Sequence, residues 1–156
     1  MFNVESRIIT GQEIATLAEA KTYFRTEDSG GVEDSLILSL VKMARETIER
    51  KIDRSLVASE IEVFASDWKG YLPFGPVVSY EIDGIATVQG NRYLYVNTSQ
   101  NVTIKYETEA YCSAGIKNLV LELAFYWYER GEFEGGEVPA KLKPLIRAHS
   151  RLNFIA

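Results

Sequence analysis

Residues 32–56 read VEDSLILSLVKMARETIERKIDRSL. Leu36, Ile37, Leu40, Val41, Ala44 and Ile48 fall on one stripe with the helical period, while Lys42, Arg45, Glu46 and Glu49 hold the opposite side. This pattern predicts a long amphipathic helix over about 32–53 whose charged residues form a solvated face. Glu33 and Asp34 at its start and Arg50 and Lys51 at its end carry the signs that the helix dipole favours.

Upstream, Thr16-Leu17-Ala18-Glu19 has the form of a capping box, and Leu17, Ala20 and Phe24 follow at helical spacing. A short helix over about 16–25 is expected, ended by the turn formers of residues 26–31. Downstream the period changes to two. Ile61, Val63 and Phe64 suggest a strand, and two prolines in LPFGPVVSYEIDGIA mark an edge or bend that continues as one. Gly90-Asn91 reads as a hairpin turn between Ala86-Thr87-Val88 and Tyr93-Leu94-Tyr95-Val96. After a second turn at residues 97–100, Val102, Ile104 and Tyr106 alternate with Thr103, Lys105 and Glu107.

A third helix is expected from Ser113 or Ala114 to Arg130, within about 114–130. Ile116, Leu119, Val120, Leu123, Ala124 and Trp127 share its inner third, with Tyr126 and Tyr128 on the edges of that stripe. Phe125 projects with Asn118, Glu122 and Glu129 toward solvent, and Gly131 supplies the stop. The loop 132–137, with two adjacent glycines and three acids, has little to bury and is expected to be mobile. Leu142, Leu145, Ile146, His149 and Leu152 then recur at helical spacing over about 140–152, with Pro144 compatible only in the first turn of that helix or as a kink in it. The fold class expected is α+β and mainly helical. A small helix bundle would carry an inserted antiparallel β hairpin or sheet of three to four strands at about 60–110, all in one domain spanning 1–156.

The composition narrows the function. Hydrophobic residues make up 46% of the 156 and charged residues 25%, which suits a packed domain rather than a disordered chain. No apolar run approaches the ~20 residues needed to span a bilayer, and the N-terminus shows no secretory signal pattern. A single cysteine, Cys112, excludes an internal disulfide and reads as a small apolar residue. A formal charge of −5 argues against non-specific binding to nucleic acid. The lone histidine, His149, lies on an apolar stripe and reads as a packing residue. There is no phosphate loop, dinucleotide turn, nucleophile elbow or zinc-ligand set. Catalytic residues, cofactor-binding residues and metal ligands are therefore all expected to be none.

Taken in order, these pieces resemble the tailed-phage head–tail connector family, the head-completion adaptors that sit below the portal. The resemblance runs from about Thr16 to Leu152. It rests on TLAEAKTYFR, an acidic glycine-bearing gap and the long helix that begins SLILSLVKMARETIERK. It continues with an L-P-x-x-P-V stretch at Leu72-Pro73-Phe74-Gly75-Pro76-Val77, the run Trp127-Tyr128-Glu129-Arg130, the loop Glu132 to Glu137 and Val138-Pro139. The β region at 60–110 is longer than the shortest members carry. The resemblance implies a virion structural protein without catalysis, assembled in the bacterial host cytoplasm. It also implies a ring of about a dozen copies, with the portal protein on one side and a stopper or tail-completion protein on the other. DNA would pass through unbound, repelled by a negative lumen, and no membrane would be involved. The expected partner interface comprises Phe125, Arg130, Phe133, Arg147, Arg151 and Phe154, with the basic segment from Lys141 engaging the portal. The alternative is a small-ligand or peptide binding module using a sheet face with Tyr93, Tyr95 and Tyr106.

Overall fold

The computed structural model describes residues 1–26, 31–83 and 93–151, together with the backbone of 85–88. The chain forms two compact units: Met1–Gln12 with Asp53–Tyr111, and Glu13–Ile52 with Cys112–Ala156. The expectation of a mainly helical fold is not met, because seven strands stand beside four helices among the described residues. The class is mixed α+β.

The helical unit contains α1 (Leu17–Phe24), α2 (Asp34–Ile52), α3 (Ala114–Arg130) and α4 (Lys143–Arg147). Thr16 caps α1 as expected. Its hydroxyl accepts from the Glu19 N–H at 3.2 Å, and the Glu19 carboxylate accepts from the Thr16 N–H at 2.8 Å. Ser113 caps α3, and Gly131 ends it at φ +70°, where a Cβ would be strained. Ile37, Leu40, Val41, Ala44 and Ile48 of α2 are buried, as are Ile116, Leu119, Val120, Leu123, Ala124 and Trp127 of α3. Leu121 joins them from outside the expected stripe. The last helix is much shorter than 140–152. Pro144 sits in its first turn, Leu142 and Ile146 are buried, and Leu145 is exposed.

The solvated-face reading of α2 fails at two positions. Arg45 is 1% exposed and Glu49 0%. Arg45 Nη1 meets Glu49 Oε2 at 2.8 Å, and Nε meets Glu13 Oε1 at 2.7 Å, just upstream of α1. Burial alone would lower the Arg45 pKa, but Glu49, Glu13 and Glu46 outweigh it and leave the pKa raised. A buried charge survives only when its partners travel with it.

The loop after α3 is also more tied down than its composition suggests. The Trp127 indole N–H donates to the Glu137 carbonyl at 3.2 Å, and Gly135 and Gly136 lie against the ring. A Cβ on Gly136 would fall 2.3 Å from Glu132 Oε2 and 3.3 Å from Trp127 Nε1. Close approach to the indole is what the glycine allows.

The β unit begins with a strand that the sequence reading missed, β1 (Phe2–Ile9). It continues through β2 (Ser59–Ala65), β3 (Trp68–Tyr71), β4 (Val77–Ile82), β5 (Ile85–Val88), β6 (Tyr95–Thr98) and β7 (Val102–Thr108). Five strands form an antiparallel sheet in the order β1-β2-β7-β4-β5, and β3 pairs with β6 in a second sheet. The expected hairpin joining residues 86–88 to 93–96 is not formed. β5 pairs with β4, Ile82 opposite Ile85, while β6 pairs with β3. The turn proposed at Gly90-Asn91 lies outside the described residues. Ile61 and Val63 of β2 and Ile104 and Tyr106 of β7 form the sheet's inner face, packed with Leu72, Val77 and Val96. The proline stretch is the expected bend, entering β4 at Val77, and the Phe74 N–H donates to Asp53 Oδ1 at 3.0 Å.

Truncating Trp127 to Ala should cost about 3–5 kcal/mol, read as a fall in the urea midpoint. Arg45→Ala should cost a similar amount, about 3–5 kcal/mol, because it leaves the Glu49 carboxylate buried without its guanidinium. The paired replacement Arg45→Met with Glu49→Leu should recover most of that loss. If Arg45→Ala leaves the midpoint unchanged, the cluster does not hold the helical unit together.

Candidate interaction surface

The described surface gathers aromatic groups rather than reactive ones. On the helical unit, α1 lays Tyr23 and Phe24 beside Phe125 and Tyr128 of α3. Phe24 lies 5.3 Å from Phe125 and 5.2 Å from Tyr128, ring centre to ring centre, and Tyr23 meets Phe125 edge-on at 6.1 Å. Phe24 is buried, but Phe125 and Tyr128 are half-buried and Tyr23 is exposed. A groove of about 780 Å³ runs past them, lined by Thr22, Tyr23, Phe24, Arg25, Phe125 and Glu129.

Polar contacts hold the walls. Tyr128 donates to Glu33 Oε2 at 2.7 Å, which raises the phenol pKa, with burial adding to it. Lys21 pairs with Asp34 at 2.5 Å, and Lys141 with Glu122 at 3.0 Å. Lys117 bonds to Glu19, and this contact chiefly lowers the Glu19 pKa, followed by the Thr16 N–H. α1 is thus clamped at its capping box and at its last turn.

Five of the six residues expected at a partner interface lie among the described residues. Phe125 is a correction: it turns toward α1 and is partly covered by Tyr23 and Phe24, because α1 packs where solvent was expected. Arg130 is exposed, lying over Tyr126 at 5.1 Å and pairing with Glu132 at 3.2 Å. Phe133 and Arg147 are exposed. Arg151 is 4% exposed, unlike Lys141, Lys143 and Arg147 of the same basic segment. Phe154 lies outside them. The sequence reading placed Phe24 on the apolar spacing of α1 but missed Tyr23, although two adjacent aromatics closing a two-turn helix were a signal for a second aromatic surface.

The tyrosine-face alternative loses its geometry. Tyr106 is buried in β7 with its hydroxyl donating to the Pro73 carbonyl at 2.9 Å, whereas Tyr95 stands exposed on the other sheet against Tyr71. Cys112 is exposed, not packed as a small apolar residue. Among the described residues no helix is long and apolar enough to cross a membrane.

The outer face of the five-stranded sheet is acidic. Glu60, Glu62, Glu81 and Glu107 surround Lys105, and Glu60 stands directly opposite Glu107 across β2 and β7. Like charges so placed cost stability rather than adding it.

A family model described as "Phage gp6-like head-tail connector protein" matches residues 14–140. The fold is similar to a chain of "Neck of empty GTA particle computed with C6 symmetry", with TM-score 0.63. It is also similar to a chain of "Virion of native gene transfer agent (GTA) particle", with TM-score 0.65. In each case the identity is 18%, covering 96% of this chain and 95% of the other, a likeness of fold. A search of curated protein sequences gives no match.

Phe125→Ala should cost about 2 kcal/mol, less than a fully buried ring because only part of it leaves water. A thermal midpoint equal to that of the parent would place the ring in solvent after all. The α1 cap should also respond to acid. Its folded Glu19 pKa is lowered, so the stability it contributes is present above the unfolded carboxylate value and is lost as pH falls through the lowered folded value. Amide protection at Thr16 and Glu19, taken relative to the intrinsic exchange rate, should fall over that acidic range in the parent and not in Glu19→Gln.

Proposed function

The chain belongs to the phage gp6-like head-tail connector family, a family of structural proteins of the phage particle, and from that premise we propose that it forms the ring joining portal to tail. About a dozen copies would encircle the DNA path, with the portal on one side and a stopper or tail-completion protein on the other. The family match is the observation that carries this reading, because it spans α1 to α3 and β2 to β7. The neck particle to which the fold is similar was computed with C6 symmetry, and a dozen copies are compatible with a sixfold axis.

Charge supports the conduit. A chain of net charge −5 whose sheet presents four carboxylates around one lysine repels phosphate rather than holding it. The exposed cations Lys141, Lys143 and Arg147 are the groups for an acidic portal surface, while Arg151 stays inward. The helical unit's aromatic groove provides area for a neighbouring protein, since half-buried rings gain from being covered.

Electron microscopy of the purified chain mixed with its portal tests the assignment. Density for a ring seated on the portal is the expected result. A chain that never joins the portal yet binds a metabolite tightly would overturn it. Within that complex, the charge reversal Lys143→Glu should weaken portal attachment and reduce its salt dependence while leaving the thermal midpoint unchanged.

A further inference from the structure

The five-stranded sheet ends in two open edges, and among the described residues nothing pairs with the outer side of β1 or of β5. Natural edges are commonly blunted with lysine, proline, a bulge or inward-turned charge. β1 has a bulge near Val4 and one inward-turned charge, Arg7 opposite Ile61, and beyond the bulge Ser6–Ile9 keeps a regular edge. Its sequence FNVESRII contains neither proline nor lysine, and Val4, Ile8 and Ile9 are exposed. The Arg7 side chain is committed to the Ser55 and Ser59 hydroxyls at 3.0 and 3.2 Å. A register shift between Val4 and Ser6 sets apart Ser6–Ile9, a four-residue stretch equal in length to β5.

The hydrogen-bond phase shows which backbone groups are available. The Thr10 N–H donates to the Ala58 carbonyl at 2.9 Å, so alternation turns the Ile8 backbone toward Glu60 and the backbones of Arg7 and Ile9 away from the sheet. All four pairings from β1 to β5 are antiparallel, so β1 and β5 run in the same direction. Copies related by rotation about a ring axis keep that direction.

We propose that β1 of one copy pairs in parallel with β5 of the next, so that the sheets of neighbouring subunits join edge to edge around the ring. The occupant of the β1 edge is a second copy of this chain. The two edges are different strands, which is the heterologous complementarity that a closed ring requires, and main-chain bonds supply the affinity. This rests on the ring reading above.

Ile9→Pro removes one outward N–H without touching the β2 pairing. It should leave the thermal midpoint unchanged and abolish multimers in sedimentation velocity of the full chain, with and without portal. Ile8→Pro, which removes an inward N–H, should instead lower the midpoint. In a Cys112→Ser background, Ile8→Cys combined with single cysteines along residues 85–88 should give an oxidised ladder beyond dimers. Dimers from Ile8→Cys alone would indicate a two-fold β1–β1 contact and overturn the proposal. Multimers that persist in Ile9→Pro overturn this inference and leave the ring standing, whereas a parent chain that never multimerises overturns both.

Discussion

A guanidinium with almost no access to water is the constraint around which the helical unit is arranged. Arg45 cannot be desolvated alone, so Glu49 and Glu13 must arrive with it. Glu49 is local, one turn along α2. Glu13 is not, and bringing it to Arg45 fixes where the chain enters α1. Three residues later Thr16 opens the capping box, and one short helix on, Phe24 meets Phe125 and Tyr128. The aromatic groove is thus downstream of a buried ion pair, and a charge that looked like surface decoration bears on where those rings sit.

How much of this was legible divides along the range of the interaction. The cap at Thr16 with Glu19 and the stop at Gly131 were read correctly because they are local chemistry. The stripe of α2 and the burial of Trp127 followed from periodicity. Arg45 and Glu49 were misread because their burial depends on Glu13, more than thirty residues away, and helical period carries no information about that. β1 was missed because its bulge shifts the phase of alternation midway, leaving no run of period two. The choice of partner for β5 was misjudged although a competing signal was present. Asp83-Gly84 joins Ile82 to Ile85 and is a stronger hairpin signal than Gly90-Asn91, and Asp83 takes a positive φ of 48°.

The candidate surface was legible in kind more than in place. The absence of reactive constellations and the surplus of aromatics pointed to contacts rather than catalysis, and the family match agrees with that. Placement depended on what packs against what. Phe125 keeps its outward helical phase, but α1 arrives to cover it, and Arg151 belongs to a basic segment yet is turned inward. Neither event is visible from the residue's own neighbours in sequence.

The hydroxyl cluster at the base of the β unit bears on how the chain folds. Thr108 donates to Ser55 Oγ at 3.0 Å, the Tyr111 N–H donates to the Ser55 carbonyl at 2.8 Å, and Arg54 lies over the Tyr111 ring at 4.2 Å. The two ends of the long segment between α2 and α3 are thereby pinned together inside their own unit. Before that closure, α2 and α3 are the termini of a flexible loop of some sixty residues, and their meeting carries the full entropy of loop closure. After it, they are joined as if by a short turn. With those ends pinned, the connection between α2 and α3 carries the closure entropy of a short turn rather than of the whole intervening segment.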